Sequence, residues 1–193
     1  MNILKLSKTE KKDITKFYLN KLCGEDYLSF FNELNLIDHI AVCHLNEGDI
    51  IGPWNKGDEK NVWYIKSGNL RPFFKINQFN EISIEKCPKN RFLGLYENLC
   101  NWNNSYYLAC DKETELIGMP FEDLLELNNL SESDYPFKNA FENQLIFEKS
   151  LLINTLFKNL NKKEISQLNE YEFRIYLNKI MKAINEVRKS INL

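Results

Sequence analysis

The chain has 193 residues, of which 44% are hydrophobic and 13% aromatic, enough for one ordinary core plus a helical extension. A formal net charge of -2 gives no global pull toward nucleic acid or acidic substrates. No apolar run reaches the roughly 18 residues that span a bilayer, and the start, MNILKLSKTEKKDITKF, lacks the apolar stretch and cleavage site of a secretory signal. The five cysteines (Cys23, Cys43, Cys87, Cys100, Cys110) are odd in number and form no C-x-x-C pair. The expectation is a cytoplasmic chain with reduced thiols.

From Lys8 to about Leu36 the apolar spacing is helical: Ile14, Phe17, Tyr18, Leu22, then Tyr27, Phe30, Phe31 and Leu34. Gly24 breaks the run, which predicts two short helices. From His39 to Met119 the texture changes to short β-branched or aromatic runs: HIAVCHL, DIIG, VWYIK, LRPFFKI, EISIEK, RFLGLY, SYYLAC and ETELIGM. Turn clusters separate them, among them NEGD, NKGDEKN, KSGN, CPKN and DKE. VWYIK, then SGN, then LRPFF reads as a hairpin. Many short strands at regular spacing predict an all-β roll or sandwich.

Pro120 can open a helix, and Glu122 and Asp123 fall in the first turn that follows, where the helix dipole favours acids. A longer helix is predicted over about Phe137–Leu160, with Phe137, Phe141, Leu145, Leu151, Leu152 and Leu156 as its apolar face. A last helix is predicted from about Lys163 to Lys189, with Phe173, Leu177, Ile180, Ile184, Val187 and Ile191 along one stripe. The expected organisation is a helical lead-in over 8–38, a β-roll over 39–130 and a helical extension over 131–193.

Gly48-Asp49, Gly57-Asp58 and the strand Tyr64-Ile65-Lys66-Ser67-Gly68 are followed by a second informative stretch, Arg91–Leu127. That stretch reads as a strand, a short helical or loop segment, two strands and a helix. Together these resemble the cyclic-nucleotide-binding superfamily, which includes the catabolite activator protein. The resemblance covers roughly Ile14 to Leu160. It implies a fold that is mainly β with flanking α: a double-stranded β-roll, or jelly roll, plus C-terminal helices. NVWYIKSGNLRPF and PFEDLLEL also resemble the amino-terminal domain of cyanobacterial peptidase-containing peptide exporters of the ABC type, which implies gating or scaffolding of peptide export.

In the superfamily, a cassette presents backbone N–H groups at a helix start to the phosphate and adds an Arg for its charge and a Glu for the ribose. Here Gly94 is followed by Leu95 rather than Glu, and the Arg-Ser/Thr-Ala triplet is Asn104-Ser105-Tyr106. Asn104 cannot neutralise a phosphodiester, and desolvating that anion without a cation is costly. The ligand-binding candidates are Gly94, Asn104 and Ser105 at cassette positions, with Arg91 and Arg71 as cations from elsewhere; neither Arg matches a family ligand position. A different small ligand, or none, is expected in place of cyclic AMP, and no cofactor.

His39 and His44 are the only histidines, are not spaced as an H-x-H pair, and read as edge-of-strand residues rather than metal ligands. Trp54, Trp63 and Trp102 could line a pocket; Trp63, alternating with Ile65, reads as core. Glu47, Asp49, Asp58 and Glu59 read as solvated turn residues. No nucleophile, base and orienting acid can be assembled, so no catalytic residues and no enzyme are expected. The tail from Lys158 lacks the Gly-containing turn and Arg-rich recognition helix of a DNA-binding module. The expected partners are a small ligand and a protein or second copy met through the C-terminal helices, not nucleic acid. The expectation is a regulatory, sensor or adaptor domain; the alternative is a transcription regulator of the catabolite-activator type with a divergent tail.

Overall fold

A computed structural model describes residues 2–23, 38–52, 60–75, 81–83, 87–94, 98 and 107–130, with positions 143, 144, 146, 169, 171, 172, 174, 175, 178 and 182 in the C-terminal stretch. After a two-residue strand β1 (Asn2–Ile3), helix α1 (Lys8–Cys23) starts where Ser7 and Glu10 satisfy each other's backbone. Ser7 N–H donates to Glu10 Oε2 at 2.8 Å, and Glu10 N–H donates to Ser7 Oγ at 3.3 Å. This capping box ties up two N–H groups that have no partner within the helix. The helix is described to Cys23, and the predicted break at Gly24 lies outside the described residues.

The strands that follow are β2 (Ala41–Leu45), β3 (Ile50–Ile51), β4 (Asn61–Lys75), β5 (Glu81–Ser83), β6 (Cys87–Pro88), β7 (Phe92–Leu93) and β8 (Tyr107–Pro120). All pairings among the described residues are antiparallel, and β4 and β8 form the spine, paired from Asn61↔Pro120 to Phe73↔Tyr107. β2 lies along the other edge of β8, and β1 along β2. Helix α2 (Phe121–Leu130) leaves directly from β8, so Pro120 closes the strand rather than opening the helix.

Two predicted turns are corrected. Ser67-Gly68-Asn69 does not reverse the chain, and neither does Asp111-Lys112-Glu113; each lies inside one long strand. The two polar segments pair with each other. The ladder slips between Ile65 and Ser67, between Ser67 and Asn69, and between Asn69 and Leu70. Such bulges bend and twist a strand without ending it. Gly68 permits the close approach: its φ is +86°, and a β-carbon there would collide with Thr114 Oγ1 and the Glu113 carbonyl.

Below the bulges both faces of the sheet are buried, which is why VWYI shows no polar alternation. The row Val42–Ile117–Tyr64 faces the helices, in a cluster with Tyr18, Leu22, Leu124 and Leu127. The next row, Cys43–Leu116–Ile65, points the opposite way and is equally buried. Each large side chain so buried contributes about 1.5–3 kcal/mol before entropy costs. Tyr18 adds a buried hydrogen bond, its hydroxyl donating to Val62 O at 2.9 Å.

In the C-terminal stretch, Asn143, Gln144 and Ile146 are helical, within the predicted 137–160 helix. A second capping box marks a later helix start. Glu172 N–H donates to Asn169 Oδ1 at 2.9 Å, and Asn169 N–H to Glu172 Oε2 at 3.2 Å. The last helix therefore has its N-terminus at Asn169, not near Lys163, because the Asn169 side chain competes for the backbone there. Tyr171, Arg174, Asn178 and Lys182 form its exposed face. The second lead-in helix, over 24–37, and the apolar stripes of the two tail helices lie outside the described residues, apart from isolated positions. Among the described residues no helix is long and apolar enough to cross a membrane.

Candidate functional site

The cassette region is anchored on β4. Asn90 takes a left-handed backbone (φ 68°), which Asn tolerates better than most residues. Its N–H donates to Ile65 O at 2.7 Å, and Ile65 N–H donates to Arg91 O at 2.9 Å. The Tyr64 hydroxyl donates to Asn90 Oδ1 at 2.8 Å, and burial pushes the Tyr64 phenol above its ordinary range. β7 is thus fixed to the middle of the spine before the chain reaches Gly94.

Gly94 is buried and has φ +84°. Asn98 N–H donates to Gly94 O at 3.1 Å. The Asn98 side chain is buried, and its amide donates to Asn61 O at 3.3 Å, tying Asn98 to the start of β4. Leu95, Asn104, Ser105 and Tyr106 lie outside the described residues.

The two candidate cations are not brought together. Arg91 sits beside Ile65, half-buried, with Nη1 3.6 Å from Cys87 Sγ. Arg71 lies beyond the bulges, opposite Ala109. Its Nε donates to Asp111 Oδ1 at 3.1 Å, and its Nη1 lies 3.4 Å from Glu81 Oε1. Burial pulls the Arg71 pKa down, but the hydrogen bonds and charges of Asp111 and Glu81 outweigh it and hold the guanidinium above its ordinary value. Arg71 is therefore an ion-paired cation rather than one offered to an incoming anion. No local pattern announces this pair, since Asp111 lies 40 positions away in sequence.

His39 Nδ1 is 2.7 Å from Asp123 Oδ2, clasping the entry to β2 onto the first turn of α2. Asp49 Oδ2 accepts from Asn46 N–H at 2.9 Å, the turn role expected of it. Trp63 and Ile65 are both core. Cys43, Cys87 and Cys110 are buried thiols outside any disulfide, and burial raises the Cys43 thiol pKa. Among the described residues no group of three or more His, Cys, Asp or Glu side chains could hold a metal ion. Trp54, Asp58, Glu59 and Trp102 lie outside the described residues.

No protein-family model and no curated protein sequence matches the chain. Solved structures do. A transcriptional regulator assigned to the CRP/FNR family from Eubacterium rectale superposes with a TM-score of 0.52 at 20% identity, covering 74% of this chain and 68% of its own. The sensor domain of the transcriptional regulator DNR from Pseudomonas aeruginosa gives 0.51 at 11% identity, covering 76% and 93%. At such identities the likeness shows the fold: a mostly antiparallel β-roll of the cyclic-nucleotide-binding type with a few helices.

Proposed function

We propose that this chain is a non-enzymatic, cytoplasmic regulatory or sensor domain of the cyclic-nucleotide-binding-like type that does not hold cyclic AMP or cyclic GMP tightly. The observation that carries this reading is that Arg71 is already ion-paired while the cassette sequence offers no matched Arg. Gly94, buried with a left-handed backbone, accepts from Asn98 N–H at 3.1 Å, at the place where the superfamily meets a cyclic-nucleotide phosphate. The Glu and Arg that such an anion and its ribose need are Leu95 and Asn104 here. Arg71 does not replace them, being bonded to Asp111 and Glu81. Gly94, Asn104, Ser105 and Arg91 would then serve a small ligand less charged than a phosphodiester, or the roll would serve a protein partner without one.

Isothermal titration calorimetry tests this. The expected result is no binding of either nucleotide tighter than about 100 μM. A dissociation constant in the low micromolar range for either nucleotide overturns it. The finer reading, control of an ABC-type peptide exporter, is supported by NVWYIKSGNLRPF and PFEDLLEL; specific binding to such an exporter in detergent is its test.

A second reading, a transcription regulator with a divergent tail, is favoured by one observation: the two similar structures named above are a transcriptional regulator and the sensor domain of one. Gel-shift experiments against fragments of the source genome separate the two. A sequence-specific shift at nanomolar protein selects the regulator; non-specific, salt-sensitive binding alone rejects it.

A further inference from the structure

Six lysines and two acids fall within the first 21 residues, a local net charge of +4 in a chain that carries -2 as a whole. Two of these lysines are engaged within the fold. Lys11 donates to Asp38 O at 3.0 Å, and Lys21 Nζ stands 5.5 Å from the centre of the Phe17 ring. The other four, Lys5, Lys8, Lys12 and Lys16, make no ion pair among the described residues. Lys5, Lys8 and Lys12 are exposed, and Lys16 is half-buried.

Their spacing gathers them. Lys8, Lys12 and Lys16 lie four residues apart, so they occupy one flank of α1 on successive turns, with Lys5 three positions ahead of the first. Asp13 and Glu10 fall roughly 100° or more around the axis from the middle of that flank. Glu10 is also turned back onto Ser7, whose hydroxyl donates to it at 2.6 Å. Like charges four residues apart destabilise a helix, and an anionic surface outside the chain removes that repulsion.

The neighbouring side chains point to the kind of anion. β1 is the outermost strand on its side of the sheet, and Ile3 and Leu4 are 62% and 42% exposed. They stand directly before Lys5 in the chain, so two unused aliphatic side chains border the row of ammonium groups. A nucleic-acid backbone offers phosphate with no apolar layer beneath it. An anionic bilayer offers both, phosphates at its surface and acyl chains just below. Lysine suits such a surface, being a flexible point charge that demands no fixed geometry of its partner.

We propose that this corner of the fold docks on an anionic lipid bilayer, with Lys5, Lys8, Lys12 and Lys16 at the headgroup phosphates and Ile3 and Leu4 at the boundary with the acyl chains. The surface is distinct from the Gly94 cassette and does not depend on what that cassette binds.

The test is co-sedimentation of the full chain with vesicles of phosphatidylcholine alone and of phosphatidylcholine with about 30% phosphatidylserine. Binding to the anionic vesicles is expected to be at least about tenfold tighter than to the neutral ones, and to weaken as salt is added. Lys8→Glu with Lys12→Glu is expected to abolish that preference and leave the circular dichroism unchanged, because acids near a helix start suit its dipole. Should that double change unfold the chain, Lys8→Gln with Lys12→Gln makes the same comparison, with a loss of several-fold expected. Ile3→Ser with Leu4→Ser is expected to weaken binding several-fold and leave its salt dependence in place. Equal binding to neutral vesicles, or indifference to either pair of substitutions, overturns the proposal. So does polyglutamate or a DNA duplex bound through these lysines as tightly as the anionic vesicles, by making the flank a site for an acidic protein or for nucleic acid. Soluble glycerophosphoserine that displaces the vesicles at the concentration of their own headgroups overturns it too, by making the flank a small-anion site.

Discussion

Gly118 stands directly opposite Trp63 in the β4–β8 ladder, so close that a β-carbon at 118 would lie 2.5 Å from the indole Cε3. The indole occupies the space a side chain would need. Gly118→Ala is expected to cost about 1–3 kcal/mol, the usual price of overpacking, read from urea unfolding. Combining it with Trp63→Leu should cost less than the sum of the single changes, because the smaller residue vacates the contact. A Gly118→Ala chain as stable as wild type would mean that the indole moves aside freely.

Gly68 and Gly48 share a left-handed backbone but not a neighbourhood. A β-carbon at Gly48 (φ +88°) meets nothing within 4 Å, so Gly48→Ala should lose only the conformational penalty of about 1–2 kcal/mol. At Gly68 the same change also collides with the Glu113 backbone, which cannot rotate away as a flexible side chain can. Thermal denaturation should rank Gly68→Ala as clearly the worse of the two. Equal losses would show that the bulge relaxes at no cost.

The cap of α1 gives a pH dependence with a definite sign. Hydrogen bonds from the Ser7 side chain and backbone hold the Glu10 carboxyl below its ordinary pKa. A carboxyl whose pKa is lowered by folding stabilises the folded chain above its unfolded value, near 4.5, and loses that contribution as the pH falls through the folded value. The difference in melting temperature between wild type and Glu10→Gln should therefore be present at neutral pH and shrink in acid. A difference independent of pH would assign the loss to something other than the charge.

The last helix exposes Tyr171, Arg174, Asn178 and Lys182. By helical spacing, the apolar stripe expected from the sequence, through Phe173, Leu177, Ile180 and Ile184, belongs to the face away from them. Burying four or five such side chains contributes about 6–12 kcal/mol before entropy costs, enough to hold a second copy or a partner. Leu177→Asp with Ile184→Asp should shift the association state in light scattering and leave the β-sheet circular dichroism intact. A wild-type monomer at high concentration, together with unfolding of the double variant, would make this helix part of the core instead.

The sequence-based reading is strongest where neighbours in sequence are also neighbours in space. Ile14, Phe17, Tyr18 and Leu22 announce α1. Glycine and β-branched spacing between His39 and Met119 announces the roll. It misleads at SGN and DKE, where glycine and polar residues look like chain reversals. Each is in fact the partner of the other across the spine, and only the paired strand shows that a polar stretch is a bulge rather than a turn. The site behaves likewise. Gly94 is visible as a cassette glycine, but the neutralisation of Arg71 depends on Asp111 and Glu81, whose approach only the register brings about. Asn169 and Glu172 form a readable capping box, and the apolar periodicity upstream of it masks the true helix start.

The spine also bears on folding. Its two strands meet only after a long intervening segment has been closed into a loop, roughly 34 residues at the Phe73↔Tyr107 end, where the two rings stack at 5.4 Å between centroids, and roughly 59 at the Asn61↔Pro120 end. Pairings so distant in sequence predict slower folding than in a chain of the same size built from local contacts, a rate that stopped-flow refolding would read directly.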